Sequence, residues 1–149
     1  MSDTARAVAV PIIRPTAKSA VRATRNGRIA VIATKATVRA HAFSREISAI
    51  SEAKVLELEA QSLVGIVENG ARDGKPLSQG NARTLDEILE PIKAFGADTL
   101  ILGCTHFPHL TEHIQKRLPD LTLISPSREG ALEIARITEN RGSGSTVFI

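Results

Sequence analysis

From residue 28 onward, short apolar runs alternate with longer stretches whose apolar residues recur at three- and four-residue spacing. Arg28-Ile29-Ala30-Val31-Ile32-Ala33 is rich in β-branched residues and follows the turn signal Asn26-Gly27, which predicts a strand. A helical pattern follows through about Ile50. Val55-Leu56-Glu57-Leu58 predicts a second strand, and Leu63, Ile66 and Val67 then fall at helical spacing. Arg72 to Gly80 predicts a polar loop. Thr84 and Glu87 fit a capping box, and Leu85, Ile88, Leu89 and Ile92 line one face of the helix behind it. Pro91 should kink that helix, and Gly96 fits the left-handed position that ends it. Thr99-Leu100-Ile101-Leu102 suits a strand buried on both faces. Pro108 suits the first turn of the next helix. Leu121 to Ile124 predicts a further strand. Ser125-Pro126 could cap a helix through Leu132 and Ile137, Arg141 to Ser145 reads as a loop, and Val147 to Ile149 opens a last strand.

This alternation implies an α/β fold, a mainly parallel sheet flanked by helices. No internal repeat is visible, and the pattern leaves the strand order open.

Composition narrows the function classes. The chain has four Phe and neither Trp nor Tyr, which argues against a nucleic-acid reader that stacks bases on rings. No apolar run approaches the length of a membrane span and no secretory signal opens the chain, so a cytoplasmic location is expected. Early basic residues (Arg6, Arg14, Lys18, Arg22, Arg25, Arg28) face one acid, Asp3. Such a run fits a transit peptide, a phosphate-binding arm or a solvated lead-in. Pro11 and Pro15 break the amphipathic helix a transit peptide needs, which leaves a lead-in over residues 1–24 before a domain over 25–149.

Two polar clusters follow predicted strands, where open α/β sheets bind ligands. Thr34-Lys35-Ala36-Thr37 follows the first strand and Gly103-Cys104-Thr105-His106 follows the Thr99 to Leu102 strand. Gly103 permits close backbone approach, and a helix starting near Pro108 would favour a thiolate at Cys104. His106 could hold or relay a proton. A cysteine after an apolar strand can equally be a small buried hydrophobe. Cys104 is the only cysteine, which excludes an intramolecular disulfide and a cysteine-rich zinc site. His109 and His113 have the spacing of a metal pair but lack a third ligand of clear spacing, so a solvated helix face is expected and no metal.

At these residues the chain resembles a known family. Leu100-Ile101-Leu102-Gly103-Cys104-Thr105-His106-Phe107-Pro108 closely resembles the second-cysteine signature of glutamate racemases. Arg25 to Val38 resembles their segment after the domain crossover, and Leu63-Val64-Gly65-Ile66-Val67-Glu68-Asn69-Gly70 is similar to their glutamate-bearing stretch. The resemblance implies a cofactor-independent isomerase that interconverts L- and D-glutamate with two thiols, one on each side of the α-carbon, and supplies D-glutamate for peptidoglycan. It implies that Cys104 is one of those thiols, that His106 assists it and that Glu68 is either a partner or a supporting acid. It also implies that Thr105 binds the substrate carboxylate and that Thr34 and Thr37 line the substrate pocket.

Ile12 to Ala17 and Glu59-Ala60-Gln61 depart from the family's usual versions. The family's first cysteine belongs to a half that precedes the matching residues. The expectation is therefore one incomplete racemase-type domain plus part of the second. The other half-site would come from a homodimer or a complementing N-terminal half. The alternative is a non-catalytic glutamate-binding or regulatory protein on the same scaffold.

Overall fold

The computed structural model describes residues 3–126, with side chains from residue 13 onward. Among the described residues four parallel strands form one sheet: β1 (Arg28–Ala33), β2 (Lys54–Glu59), β3 (Thr99–Leu102) and β4 (Thr122–Ile124), in the order β2-β1-β3-β4. The central strands pair Ala30 with Leu100 and Ile32 with Leu102. Both strands are apolar because both faces are covered. Ala30, Ile32, Leu100 and Leu102 face α4 (Gln61–Glu68), α5 (Gln79–Phe95), a 3₁₀ turn (Phe107–Leu110) and α6 (Thr111–Arg117). Ile29, Val31, Ala33 and Ile101 face α1 (Asp3–Ala23) and α3 (Ala42–Ile50).

The strands stand where the hydrophobic pattern puts them, with β2 one residue longer at each end and β4 starting one residue later, at Thr122. The helices differ in instructive ways. The stretch expected as a lead-in broken at Pro11 and Pro15 is helix α1. Each proline removes one amide donor. Burial of Thr16, Ala17 and Ala20 on the sheet and the Arg14–Glu46 ion pair to α3, at 3.0 Å, work against that loss. The helical pattern through Ile50 is two helices, α2 (Lys35–Ala40) and α3, broken where His41 takes φ 53°. The capping box at Thr84 does not form. Ser78 caps α5, its Oγ accepting from the Asn81 amide at 3.1 Å, while Thr84 lies a turn inside and donates to the Gly80 carbonyl. The polar loop therefore ends at Ser78. α5 runs on past Pro91, whose ring is on the exposed side, to Phe95. Gly96 ends it at φ 80°, its amide bonded to the Ile92 and Lys93 carbonyls. The helix, loop and strand expected beyond Pro126 lie outside the described residues.

Candidate active site

The carboxyl ends of three strands are tied together. The Gly103 amide donates to the Ile32 carbonyl and the Ala60 amide to the Ala33 carbonyl, each at 2.8 Å. Gly103 allows the first contact. A Cβ there would lie 2.8 Å from the Ile32 oxygen, 3.0 Å from Ala33 Cβ and 3.2 Å from Phe43 Cε2. The loop after β3 is thus pressed against the end of β1, and Cys104 stands next in sequence to that contact as Thr34 does to Ala33.

Cys104 is half-buried and packs against the core on its α4 side. Its Sγ lies 3.6 Å from His106 Nδ1, and His106 Nε2 lies 3.5 Å from Glu68 Oε2 at the end of α4. Glu68 Oε2 faces Nε2, and the tautomer with its proton on Nε2 leaves Nδ1 facing the thiol as an acceptor. Thr34 stands at the head of α2 with its Oγ1 donating to Thr37 Oγ1 at 3.2 Å and no capping bond to the helix. Both residues are half-buried. Thr105 is exposed between Cys104 and His106. The structure therefore joins Cys104, His106 and Glu68 through side-chain contacts and joins Thr34 to Thr37, and the Gly103–Ile32 bond sets the loop that carries Cys104 beside the end of the strand that Thr34 follows.

Two sequence expectations need correction here. A full helix does not begin at Pro108. Pro108 is the second residue of the four-residue 3₁₀ turn, and α6 starts at Thr111, where Asp73 Oδ1 takes the Glu112 amide at 2.9 Å. The helix end is occupied by Asp73 and set apart from Cys104, so His106 is the polar group beside the thiol. Nor do His109 and His113 share a solvated face. His109 is exposed, but His113 is 7% exposed and its Nε2 donates to the Arg72 carbonyl at 3.0 Å. No group of three or more His, Cys, Asp or Glu able to hold a metal occurs among the described residues.

At the opposite edge of the sheet Asp98 holds the chain entering β1. It accepts from Thr24 Oγ1 (2.6 Å), the Arg25 and Asn26 amides (2.7 and 2.9 Å) and Thr99 Oγ1 (3.0 Å). Burial alone would raise the pKa of this carboxyl. The bonds from Thr24, Asn26, Arg25 and Thr99 outweigh burial and hold it below the ordinary carboxylate range. Two grooves of about 460 and 320 Å³ open on this edge, lined by residues such as Arg25, Lys54, Lys93 and Asp120. They lie at the amino ends of the strands, away from Cys104. Asp73 and Asp98 carried no sequence signal, and the signal at His113 was a spacing with His109 rather than its bond to Arg72, because these contacts reach partners distant along the chain.

Comparison with known proteins bears on this geometry. The family model described as Asp/Glu/Hydantoin racemase matches residues 2–134. A glutamate racemase of Mycobacterium ulcerans is 38% identical over 136 residues, covering 89% of this chain and 48% of the relative. One of Desulforudis audaxviator is 40% identical over 129 residues, covering 85% and 46%. Among solved structures, glutamate racemase isoform RacE1 of Bacillus anthracis superposes with a TM-score of 0.78 at 32% identity, over 88% of this chain and 48% of that one. The glutamate racemase of Francisella tularensis, solved in complex with D-glutamate, gives 0.73 at 26% identity, over 91% and 49%. The chain spans about half the length of the curated relatives it matches. No helix among the described residues is long and apolar enough to cross a membrane.

Proposed function

Since this chain belongs to the Asp/Glu/hydantoin racemase family, we propose that it carries one half of a glutamate racemase site, with Cys104 as its acid–base thiol. The observation that carries this reading is the line from Cys104 Sγ through His106 to Glu68, at 3.6 and 3.5 Å.

The α-proton of an amino acid is a very weak acid. Its removal needs a base held within reach and donors facing the charge that develops. The Cys104 proton passes to His106 Nδ1, leaving a thiolate and an imidazolium beside the Glu68 carboxylate. The thiolate takes the α-proton of L-glutamate. The electron pair left on the carbon delocalises into the α-carboxylate, where Thr105 donates. Thr34 and Thr37 hold the rest of the substrate. Reprotonation by Cys104 returns L-glutamate. Protonation from the opposite face gives D-glutamate and needs a second acid. Cys104 is the only thiol in these 149 residues. The second group would come from a complementing N-terminal half or a second copy of this chain. No cofactor is needed for this chemistry. In a cytoplasmic setting the product would supply peptidoglycan synthesis.

The chain in heavy water with L-glutamate tests this. Deuterium should enter at the α-carbon with retention of configuration, and Cys104→Ala should abolish the exchange. Net D-glutamate from the pure chain would overturn the one-base half-site. Glutamate binding without exchange would favour the second reading, a non-catalytic binding protein, which the single thiol makes the main competitor.

A further inference from the structure

The contact between His106 and Glu68 is too open to maintain itself. The Glu68 side chain is 63% exposed and that of His106 33%, and ion pairs so wet contribute little. The chain just after Glu68 supplies what the pair lacks. Gly70 and Ala71 donate their amides to the Val67 and Ile66 carbonyls at 3.0 and 2.9 Å, which fixes this segment to the end of α4. It then crosses to the element that carries His106. The Asp73 amide donates to the His109 carbonyl at 2.7 Å, and Asp73 Oδ1 accepts from the Glu112 amide at 2.9 Å. His113 Nε2 donates to the Arg72 carbonyl at 3.0 Å. His113 is nearly buried, so this last bond is shielded from water in a way the Glu68 pair is not.

We infer that Asp73 and His113 are positioning residues for the Cys104–His106–Glu68 line. Three hydrogen bonds between residues 72–73 and 109–113 clamp the end of α4 to the 3₁₀ turn and the start of α6. The clamp sets the distance between Glu68 and His106, and so the orientation of the imidazole toward Cys104 Sγ. Neither residue touches the thiol. The inference rests on reading Cys104, His106 and Glu68 as one working set, and it adds the parts that hold that set in register.

The test uses the whole chain and two readouts. One is the rate of Cys104 alkylation by iodoacetamide at fixed pH. The other is the NMR cross-peak between the His106 ring and the Glu68 methylenes. His113→Leu and Asp73→Ala should each weaken the cross-peak and change the alkylation rate by about twofold or more, in the same direction as Glu68→Gln. His113→Gln, which keeps a donor, should restore both readouts. His113→Leu should add nothing in a Glu68→Gln background. A lower melting temperature with cross-peak and rate unchanged would make His113 merely structural and overturn the inference. If His113→Leu does not fold, Asp73→Ala decides on the same criteria. An unchanged rate in Glu68→Gln overturns it as well, since the contact would then have no influence on the thiol. Failure of glutamate exchange with this coupling intact counts against the proposed substrate and leaves the clamp standing.

Discussion

The amide of Gly103 and the carbonyl of Ile32 meet at 2.8 Å, and this single bond locks the cysteine loop to the end of the neighbouring strand. Any side chain at Gly103 would press on that same oxygen, on Ala33 and on Phe43. Backbone and a buried ring cannot swing aside as a flexible side chain can. Gly103→Ala should cost about 1–3 kcal/mol, the usual range for overpacking, and should alter the alkylation rate of Cys104. Denaturant unfolding and thiol labelling on the same sample would check both. A variant as stable and as reactive as the parent would contradict the packing argument.

Phe107 lies directly after His106, is fully buried, and sits in the core cluster against which Cys104 packs. Phe107→Ala should destabilise the fold by about 3–5 kcal/mol through lost burial and the cavity left behind. Phe107→Leu should recover most of this. Urea titration followed by far-ultraviolet circular dichroism suits a chain without Trp or Tyr.

Thr34 and Thr37 share a hydrogen bond at 3.2 Å near the surface of the proposed substrate site. Thr37→Val keeps the shape and deletes the hydroxyl. Affinity for L-glutamate should fall about 3- to 10-fold, the worth of one neutral hydrogen bond, with little change in stability. Isothermal titration calorimetry measures the first and thermal melting the second. Unchanged affinity would remove Thr37 from the site.

Asp98 gives the fold an acid-sensitive fastening. Its folded pKa lies below the ordinary carboxylate value, because the hydrogen bonds it accepts outweigh its burial. The ionised form is therefore bound more tightly by the native state. Its stabilisation is complete above the unfolded pKa and is lost as pH falls from there through the lower folded value. Asp98→Asn should be less stable than the parent at neutral pH, with the gap narrowing below about pH 4. Urea midpoints measured across that range would show it, and a gap that stays constant would exclude Asp98 as the titrating group.

Much of this protein is written locally. The β-branched run at Arg28 to Ala33 and the apolar run at Thr99 to Leu102 became the two central strands, because burial on both faces favours apolar side chains from Ile29 to Ala33 and from Leu100 to Leu102. Gly96 ends α5 because the left-handed turn there suits a residue without a Cβ. The Gly-Cys-Thr-His order at a strand end marked the thiol and its histidine, since two residues of spacing are enough to bring Nδ1 within 3.6 Å of Sγ.

Other features exist only once the chain has folded. Ser78 rather than Thr84 caps α5, since the true helix start depends on where the preceding loop is tied. Two prolines fail to break α1, because burial against the sheet acts on the whole helix. Strand order depends on crossovers that no local pattern encodes. The pairing of His106 with Glu68, and the buried bond from His113 to Arg72, join residues about forty positions apart. Sequence alone fixed which residues could do chemistry, because side-chain type and short-range spacing are local properties. Tertiary structure decided which of them meet, because contact between distant segments is set by packing the whole chain against one sheet.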